Sequence, residues 1–367
     1  VEFVLVWVLA ALYASLFLYL LVGVLRARRH QKHRAMPGVS VVIPLHNEEE
    51  WALRTLKAVA LQDYQGEWEV LCVNDRSTDR TAQILEDFAS QNVCFRVLHV
   101  PMDAPPLPSP KKRALETGFA QAKYDVLLLL DADCIPPVGW LASMAGRFTP
   151  KTGIVQGAKR NSGPQTPLYA YQKLDTLGFT LIECAGFSQH TPMLASAASL
   201  AYRKELFYKV GGFNDLMQYM SGDDDMLVHK MIKEPIDFCY NLDPDSMIST
   251  EPVPTWRGLL RQRARWASNG TRYSNPCYVI FLTLIYCFYL WLTVGPLFAW
   301  AGLVDWSLWW HPLLVKVFVD IVFLGIGAYR LHMLPLLVWL PIVEAIQIPL
   351  IAVAVPMGTF LRNLRWK

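Results

Sequence analysis

Charge is scarce in this chain. Of its 367 residues only 18% are Asp, Glu, Lys or Arg, while 53% are hydrophobic. Soluble proteins average about 25% charged and about 45–50% apolar residues. An ordinary water-soluble enzyme is therefore excluded, and the apolar content equally excludes intrinsic disorder. Neither sign of charge dominates: 34 basic residues face 31 acidic ones, for a net +3. A nucleic-acid binder would need a strong basic excess. The seven cysteines (Cys72, Cys94, Cys134, Cys184, Cys239, Cys277, Cys287) are odd in number, scattered, and never in a C-x-x-C pair. That argues against a disulfide framework or a zinc knuckle and for reduced cysteines used as small apolar residues. A P-loop and the kinase-type motifs are also missing, so phosphoryl transfer lacks its usual signatures.

What is present is unevenly placed. Residues 26–276 hold 29 of the basic and 27 of the acidic residues; the other 116 residues hold nine. This distribution describes a soluble body carried between membrane segments. Phe3 to Leu25 is an uncharged run of 23 residues, enough to cross ~30 Å of hydrocarbon. It reads as an anchor, because neither a basic region before it nor a small-residue cleavage site after it marks a signal peptide. Arg26, Arg28, Arg29, Lys32 and Arg34 follow, the basic flank of a cytoplasmic side. The expectation is an integral protein of the plasma membrane with its amino terminus outside and its body in the cytoplasm. Cys277 to Val304 is a second uncharged run, with Pro296 as a kink. A third, Trp306 to Tyr329, carries Lys316 and Asp320 at a spacing that pairs them on one helix face. A fourth, Met333 to Leu361, carries Glu344 and is interrupted by Pro341, Pro349 and Pro356. Four full crossings would leave Arg362, Arg365 and Lys367 outside, against the positive-inside rule; a re-entrant or interfacial late segment would remove the conflict, so two or three crossings after residue 276 both stay open. Three parts result: a helix over 1–25, a body over 26–276 and a membrane region over 277–367.

The body alternates strand and helix. Val39 to Leu45 is an apolar, β-branched run of a buried strand, and Glu48 to Leu61 has helical periodicity. Glu69 to Asn74 is a second strand, stopped by the turn Asp75–Asp79, where Ser77 or Asp79 caps a helix starting near Thr81. Phe95 to Val100 is a third strand. A proline-rich loop, Pro101 to Pro110, leads to a helix over Lys111 to Ala122. Asp125 to Leu130 is a fourth strand that ends abruptly in Asp131-Ala132-Asp133. Such alternation predicts an α/β fold with a mostly parallel sheet covered on both faces. Ligands of such sheets gather at the carboxyl ends of the strands, where Pro44–Glu50, Asn74–Asp79 and Asp131–Asp133 all lie.

Each polar cluster has a functional and a bland reading. Asp131 and Asp133 at a buried strand tip suit a hard divalent cation, Mg²⁺ or Mn²⁺, shared with substrate phosphates; otherwise they form a solvated turn. In Asn74-Asp75-Arg76-Ser77-Thr78-Asp79, Asp75 suits a base or ribose; otherwise the stretch is a strand–helix turn. Lys111-Lys112-Arg113 opens a helix where the macrodipole disfavours cations, a cost that an anionic ligand such as a diphosphate offsets; otherwise it is a basic cap. Asp223-Asp224-Asp225 suits a helix amino terminus, yet three adjacent carboxylates repel one another and raise a pKa toward that of a general base. Arg261, Gln262, Arg263, Arg265 and Trp266 combine diphosphate-binding guanidiniums with an aromatic platform; otherwise they form a basic patch at a membrane surface.

Taken in order, VVIPLHNEEE, VNDRSTD, SPKKRALETG, LLLLDADCIPP, SGDDDML and QRARW resemble the membrane-attached, inverting enzymes of glycosyltransferase family 2, among them ceramide glucosyltransferases and the cellulose and hyaluronan synthases. The likeness spans Val39 to Asn269. It implies a GT-A fold, a nucleotide-diphosphate sugar (most often UDP-linked) as donor, and Mg²⁺ or Mn²⁺. By position it assigns Pro44, His46 and Glu48 to uracil and ribose, Asn74 and Asp75 to the nucleotide, Lys112 to the diphosphate, and Asp131 and Asp133 to the metal, Asp133 most directly. It makes Asp224 the general base within Asp223–Asp225, where this chain departs from the commoner Glu-Asp pair. Gln262, Arg263, Arg265 and Trp266 match Q-x-x-R-W, over the diphosphate and acceptor, and Ala198 to Phe213 resembles an acceptor-side segment. The resemblance leaves the acceptor open: a membrane lipid glycosylated once, or a growing polysaccharide. A reading of another class is a membrane protein that binds nucleotide sugars without turning them over.

Overall fold

The computed structural model describes residues 2–27, 36–104, 107–273 and 275–360. Its strands are β1 (Val39–Leu45), β2 (Trp68–Asn74), β3 (Phe95–His99), β4 (Val126–Leu129), β5 (Cys134–Ile135), β6 (Thr152–Gly157), β7 (Lys159–Asn161), β8 (Leu200–Arg203), β9 (Asp237–Asn241) and β10 (Ile248–Thr250). Its helices are α1 (Glu2–Arg26), α2 (Ala52–Ala60), α3 (Thr81–Ala89), α4 (Pro110–Gln121), α5 (Trp140–Ala145), α6 (Pro167–Ser188), α7 (Lys204–Lys209), α8 (Asp225–Met231), α9 (Trp256–Ala267), α10 (Pro276–Trp300), α11 (Ser307–Arg330) and α12 (Leu340–Phe360). They form two compact units: Arg26–Ser162 with Ile182–Glu251, and Val1–Leu25 with Gly163–Leu181 and Pro252–Lys367.

In the first unit the described strands build a seven-stranded sheet, in the order β3-β2-β1-β4-β8-β6-β9, and a small sheet β5-β10-β7. Strands β3, β2, β1 and β4 are parallel, and β8 alone runs against its neighbours β4 and β6. The mostly parallel sheet expected from the alternation is therefore present. All seven residues of β1 are buried, the mark of a strand covered on both faces. Val41, Ile43, Val70 and Leu128 pack with Leu56 of α2 and Trp140 of α5 in one core. Pro44 fits here because β4 pairs with β1 only as far as Val42, so no ladder bond needs the missing N–H. The helix read from Glu48 begins only at Ala52: Asn47 has φ +56°, and the Glu48 carbonyl accepts the N–H groups of Trp51 (3.0 Å) and Ala52 (2.8 Å) in a turn.

Among the described residues of the second unit, four helical segments are long and apolar enough to cross a membrane: Val4–Arg26, Pro276–Trp300, Ser307–Arg330 and Leu334–Phe360. It also takes in Gly163–Leu181 and the segment containing α9, stretches that composition placed in the body. Close helix packing explains the difference. A Cβ at Gly327 would strike Leu181, and one at Gly358 would strike the Ala264 carbonyl of α9. The expected pair forms, with Lys316 Nζ 2.7 Å from Asp320 Oδ2. The same ammonium pairs with Glu344 and donates to Gln347 Oε1 at 3.0 Å, while Tyr13 of α1 donates to Asp320 Oδ1 at 2.6 Å. Arg26 closes α1; the other flanking cations, Arg28, Arg29, Lys32, Arg34, Arg362, Arg365 and Lys367, lie outside the described residues.

Candidate active site

The carboxyl ends of β1, β2 and β4 converge in the sheet unit. The loops after β1 and β2 are stitched together by short polar side chains. Asn47 N–H donates to Ser77 Oγ (3.0 Å), and its Oδ1 accepts the Thr78 N–H (2.8 Å). Glu48 N–H donates to Thr81 Oγ1 (2.8 Å), and Asp79 accepts from the N–H groups of Glu49 (3.2 Å) and Thr81 (2.9 Å). Asp79, not Ser77, thus serves the start of α3. His46 Nδ1 donates to the Asp75 carbonyl at 2.6 Å. Asn74 is buried and works within the turn, its Oδ1 accepting the Ser77 N–H at 3.2 Å. The Asp75 carboxylate, 1% exposed, is held between Arg76 Nε (2.9 Å) and Arg113 Nη2 (3.0 Å). Pro44 is the penultimate residue of β1, paired with Val73 of β2.

At the tip of β4, Thr55 Oγ1 of α2 donates to the Ala132 carbonyl (2.6 Å) and pins the turn between Asp131 and Asp133. Cys134 Sγ lies 3.6 Å from Asp133 Oδ1. Among the described residues no group of three or more His, Cys, Asp or Glu side chains is arranged to hold a metal by itself. Two carboxylates are nonetheless the protein share of a Mg²⁺ or Mn²⁺ site completed by phosphate oxygens and water. A cation already favours this place: Lys111 Nζ lies 2.7 Å from Asp131 Oδ1 and 2.9 Å from Asp223 Oδ2. The donor set therefore fits such an ion.

The lysine expected at a diphosphate was Lys112, and the structure turns it elsewhere. Lys112 is 0% exposed, and its ammonium donates to the carbonyls of Leu216 (2.9 Å), Tyr219 (2.7 Å) and Ser221 (2.7 Å). All three N–H donors are spent on backbone. Helix phase is the reason, and it is a signal the sequence carried: Lys112, Leu115 and Phe119 share the buried face of α4. Lys111, one position earlier, is the cation among the carboxylates. Thr55 was missed as well, though it shares the buried positions of α2 with Leu56 and Val59.

The three aspartates of the acidic triplet have different surroundings. Asp223 is buried against Lys111; burial alone would raise its pKa, but Lys111 and then Lys112 hold it below the usual aspartate value. Asp225 is buried and accepts the Met226 N–H at 2.7 Å. Asp224 is partly exposed and caps α8, with Oδ1 accepting the Asp225 N–H (2.8 Å) and Oδ2 near the Ala197 N–H (3.4 Å). Burial first, then the charges of Asp223 and Asp225, push its carboxyl well above the ordinary value. Lys111 is held upward by its two carboxylates against the opposing effect of burial.

The Q-x-x-R-W residues lie on α9 in the helical unit. Thr255 caps that helix by accepting the Gly258 N–H at 3.1 Å. Arg263, expected at the diphosphate, is turned inward: it is buried, pairs with Asp175 of α6, donates to Gln262 Oε1 at 2.7 Å and stands 4.2 Å over the Trp266 ring. Gln262 and Arg265 are partly exposed, and Trp266 is exposed.

Two family profiles match, Glycosyl transferase family 2 over residues 40–211 and Glycosyl transferase family group 2 over residues 126–359. A Bacillus subtilis protein named "Probable glycosyltransferase YdaM" is 28% identical over 258 residues, covering 65% of this chain and 56% of the relative. The poly-beta-1,6-N-acetyl-D-glucosamine synthase of Staphylococcus epidermidis is 27% identical over 254 residues, with the same two coverages of 65% and 56%. The chain thus spans about half the length of the curated relatives it matches. The mannosyltransferase PcManGT from Pyrobaculum calidifontis, solved with GDP-Man and Mn²⁺, superposes with a TM-score of 0.59 at 19% identity, covering 98% of this chain and 100% of that one. That likeness establishes the GT-A-like fold with its central sheet. With one profile covering well over half its length, the chain belongs to glycosyl transferase family group 2.

Proposed function

We propose that this chain is an inverting, metal-dependent glycosyltransferase that moves a sugar from a UDP-sugar to a hydroxyl of a membrane lipid. The observation that carries the reading is the cluster in which Lys111 joins Asp131 to Asp223 while the adjacent Asp224 is partly exposed and hard to ionise. Of the triplet, Asp223 is neutralised by Lys111 and Asp225 is buried against backbone, which leaves Asp224 as the carboxylate placed to meet an acceptor hydroxyl. Asp224 takes the proton of that hydroxyl as its oxygen bonds to the anomeric carbon. The bond from that carbon to the diphosphate breaks on the opposite face, so one displacement inverts the centre. Asp131 and Asp133 would hold Mg²⁺ or Mn²⁺, which when bound offsets the charge of the departing diphosphate. Pro44, His46, Glu48, Asn74 and Asp75 belong to the nucleotide side. On the resemblance, Gln262, Arg265 and Trp266 serve the diphosphate and the acceptor.

The membrane-length helices support an acceptor delivered from the bilayer. A second reading, a processive polysaccharide synthase, is favoured by the name of the Staphylococcus relative. Asp224→Asn tests the mechanism: transfer falls about 10²–10⁴-fold while UDP binding, measured by calorimetry, persists. Retained turnover would move the base to Asp223 or Asp225. Incubation with labelled UDP-sugars and native lipids separates the acceptors, since a lipid acceptor yields a single-sugar glycolipid and a polymerase yields a ladder.

A further inference from the structure

The segment between α7 and α8 is irregular. It contains left-handed glycines at Gly211 (φ +76°), Gly212 (φ +52°) and Gly222 (φ +93°), and it enters the acidic triplet with no strand or long helix to hold it. Buried carbonyls in such a segment have no ladder partners and need donors from turns or side chains; Leu216 O already accepts the Tyr219 N–H at 3.0 Å. Lys112 supplies one to each of three carbonyls. Its ammonium has three N–H donors, and three carbonyls at residues 216, 219 and 221 receive them. The lysine itself rises from the buried face of α4, a helix packed on the sheet, with Phe119 of the same helix against Phe207 and Phe213.

We propose that Lys112 is the positioning residue of the acidic triplet: by gripping three carbonyls of the preceding segment, it sets where Asp223–Asp225 emerge and hence where the base stands. The inference rests on reading Asp224 as the base, but it makes a structural claim that can be read without turnover. A simple apolar side chain would fill this place at lower desolvation cost, so holding an ammonium here calls for a reason, and the carbonyl tripod supplies one. Donor count makes the device sensitive to protonation, because a neutral amine has two N–H groups for three carbonyls. Burial lowers the Lys112 pKa to about 8, against the opposing pull of Asp223, Asp224 and Asp225 and with Lys111 lowering it further. The tripod is therefore complete below about pH 8 and loses one bond above it.

The experiment is hydrogen exchange on the whole protein in detergent, with amides of β1 and β4 as internal reference, paired with kinetics. In Lys112→Met, the amides of residues 216–225 lose protection while β1 and β4 keep theirs, and kcat falls about a hundredfold with donor KM changed less than about threefold. Lys111→Met, which touches the carboxylates and not the carbonyls, keeps the protection of 216–225. In the unaltered protein the same amides lose protection, relative to β1 and β4, as pH rises through about 8. Unchanged protection in Lys112→Met, equal loss across β1 and β4, or no pH response of the segment would each overturn the proposal. Should no UDP-sugar be turned over by the unaltered protein, the proposed activity fails, and the two exchange measurements still decide the role of Lys112.

Discussion

Two lysines, one in each unit, are both 0% exposed, and they are buried in opposite ways. Lys316 in the helical unit is surrounded by side chains: the carboxylates of Asp320 and Glu344, the amide oxygen of Gln347, and the Tyr289 ring 5.3 Å away. Lys112 in the sheet unit is surrounded by neutral backbone carbonyls. Beside it, Asp223 pairs with Lys111, and the carboxylates of Asp224 and Asp225 accept backbone N–H groups. In the helical unit both carboxylates of the cluster touch the one ammonium they share, as a low-dielectric surrounding favours. In the sheet unit the like charges of Asp223 and Asp225 bear on Asp224. The helical cluster closes on its own side chains, whereas the sheet cluster leaves Asp224 partly exposed.

The comparison breaks most sharply if the two sets of residues respond alike. Asp224→Asn carries the largest expected effect, the loss of about 10²–10⁴ in kcat. It should do so without lowering the melting temperature, because an aspartate whose folded pKa lies above its unfolded value costs stability once pH exceeds that unfolded value, and Asn removes the cost. Lys316→Met predicts the reverse pattern. Two carboxylates lose their shared cation, and stability falls by about 3–5 kcal/mol, read by denaturation in detergent, with turnover per folded molecule unchanged. Adding Asp320→Asn and Glu344→Gln to that variant should restore most of the loss. If instead Lys316→Met abolishes turnover in a stably folded protein, the membrane cluster belongs to the chemistry and the contrast is wrong. Gly358→Ala is a smaller test within the helical unit. Its Cβ meets the Ala264 carbonyl of α9, so about 1–3 kcal/mol of stability should be lost.

The sequence revealed the sheet more fully than the site. Strands β1 to β4 were legible because each is an apolar run bounded by a turn, and β1 was bounded to the residue. β6, β8 and β9 were not, since a short strand of four to six residues such as Leu200–Arg203 has no periodicity to separate it from a buried helical turn. The two-unit division escaped composition because α9 is rich in arginine yet packs closely on a membrane-length helix, with Ala264 and Ser268 against Gly358. In the site, the acidic residues were legible by type, but the roles of Lys111 and Lys112 depend on a 100° turn of helix phase. Arg263 shows the same limit: the motif gives its place on α9, while its partner Asp175 lies 88 residues away in sequence.

The pH profile offers the finest test, because it isolates the imbalance at Asp224 from the residues that make it. The groups facing this carboxyl are Asp223, Asp225 and Lys111, with the backbone N–H groups of Ala197 and Asp225. Burial is the largest cause of its raised pKa, the two aspartate charges come next, and Lys111 opposes them. A base must be ionised to act, so kcat/KM should rise with pH along a limb displaced above the ordinary carboxylate range. Asp225→Asn removes one of the two like charges and leaves burial in place, so the limb should move to lower pH without vanishing. Lys111→Met removes the opposing cation and should move it higher. A limb that shifts the same way in both variants, or in neither, would mean that the titrating group is not Asp224, and the contrast between the two buried clusters would fail.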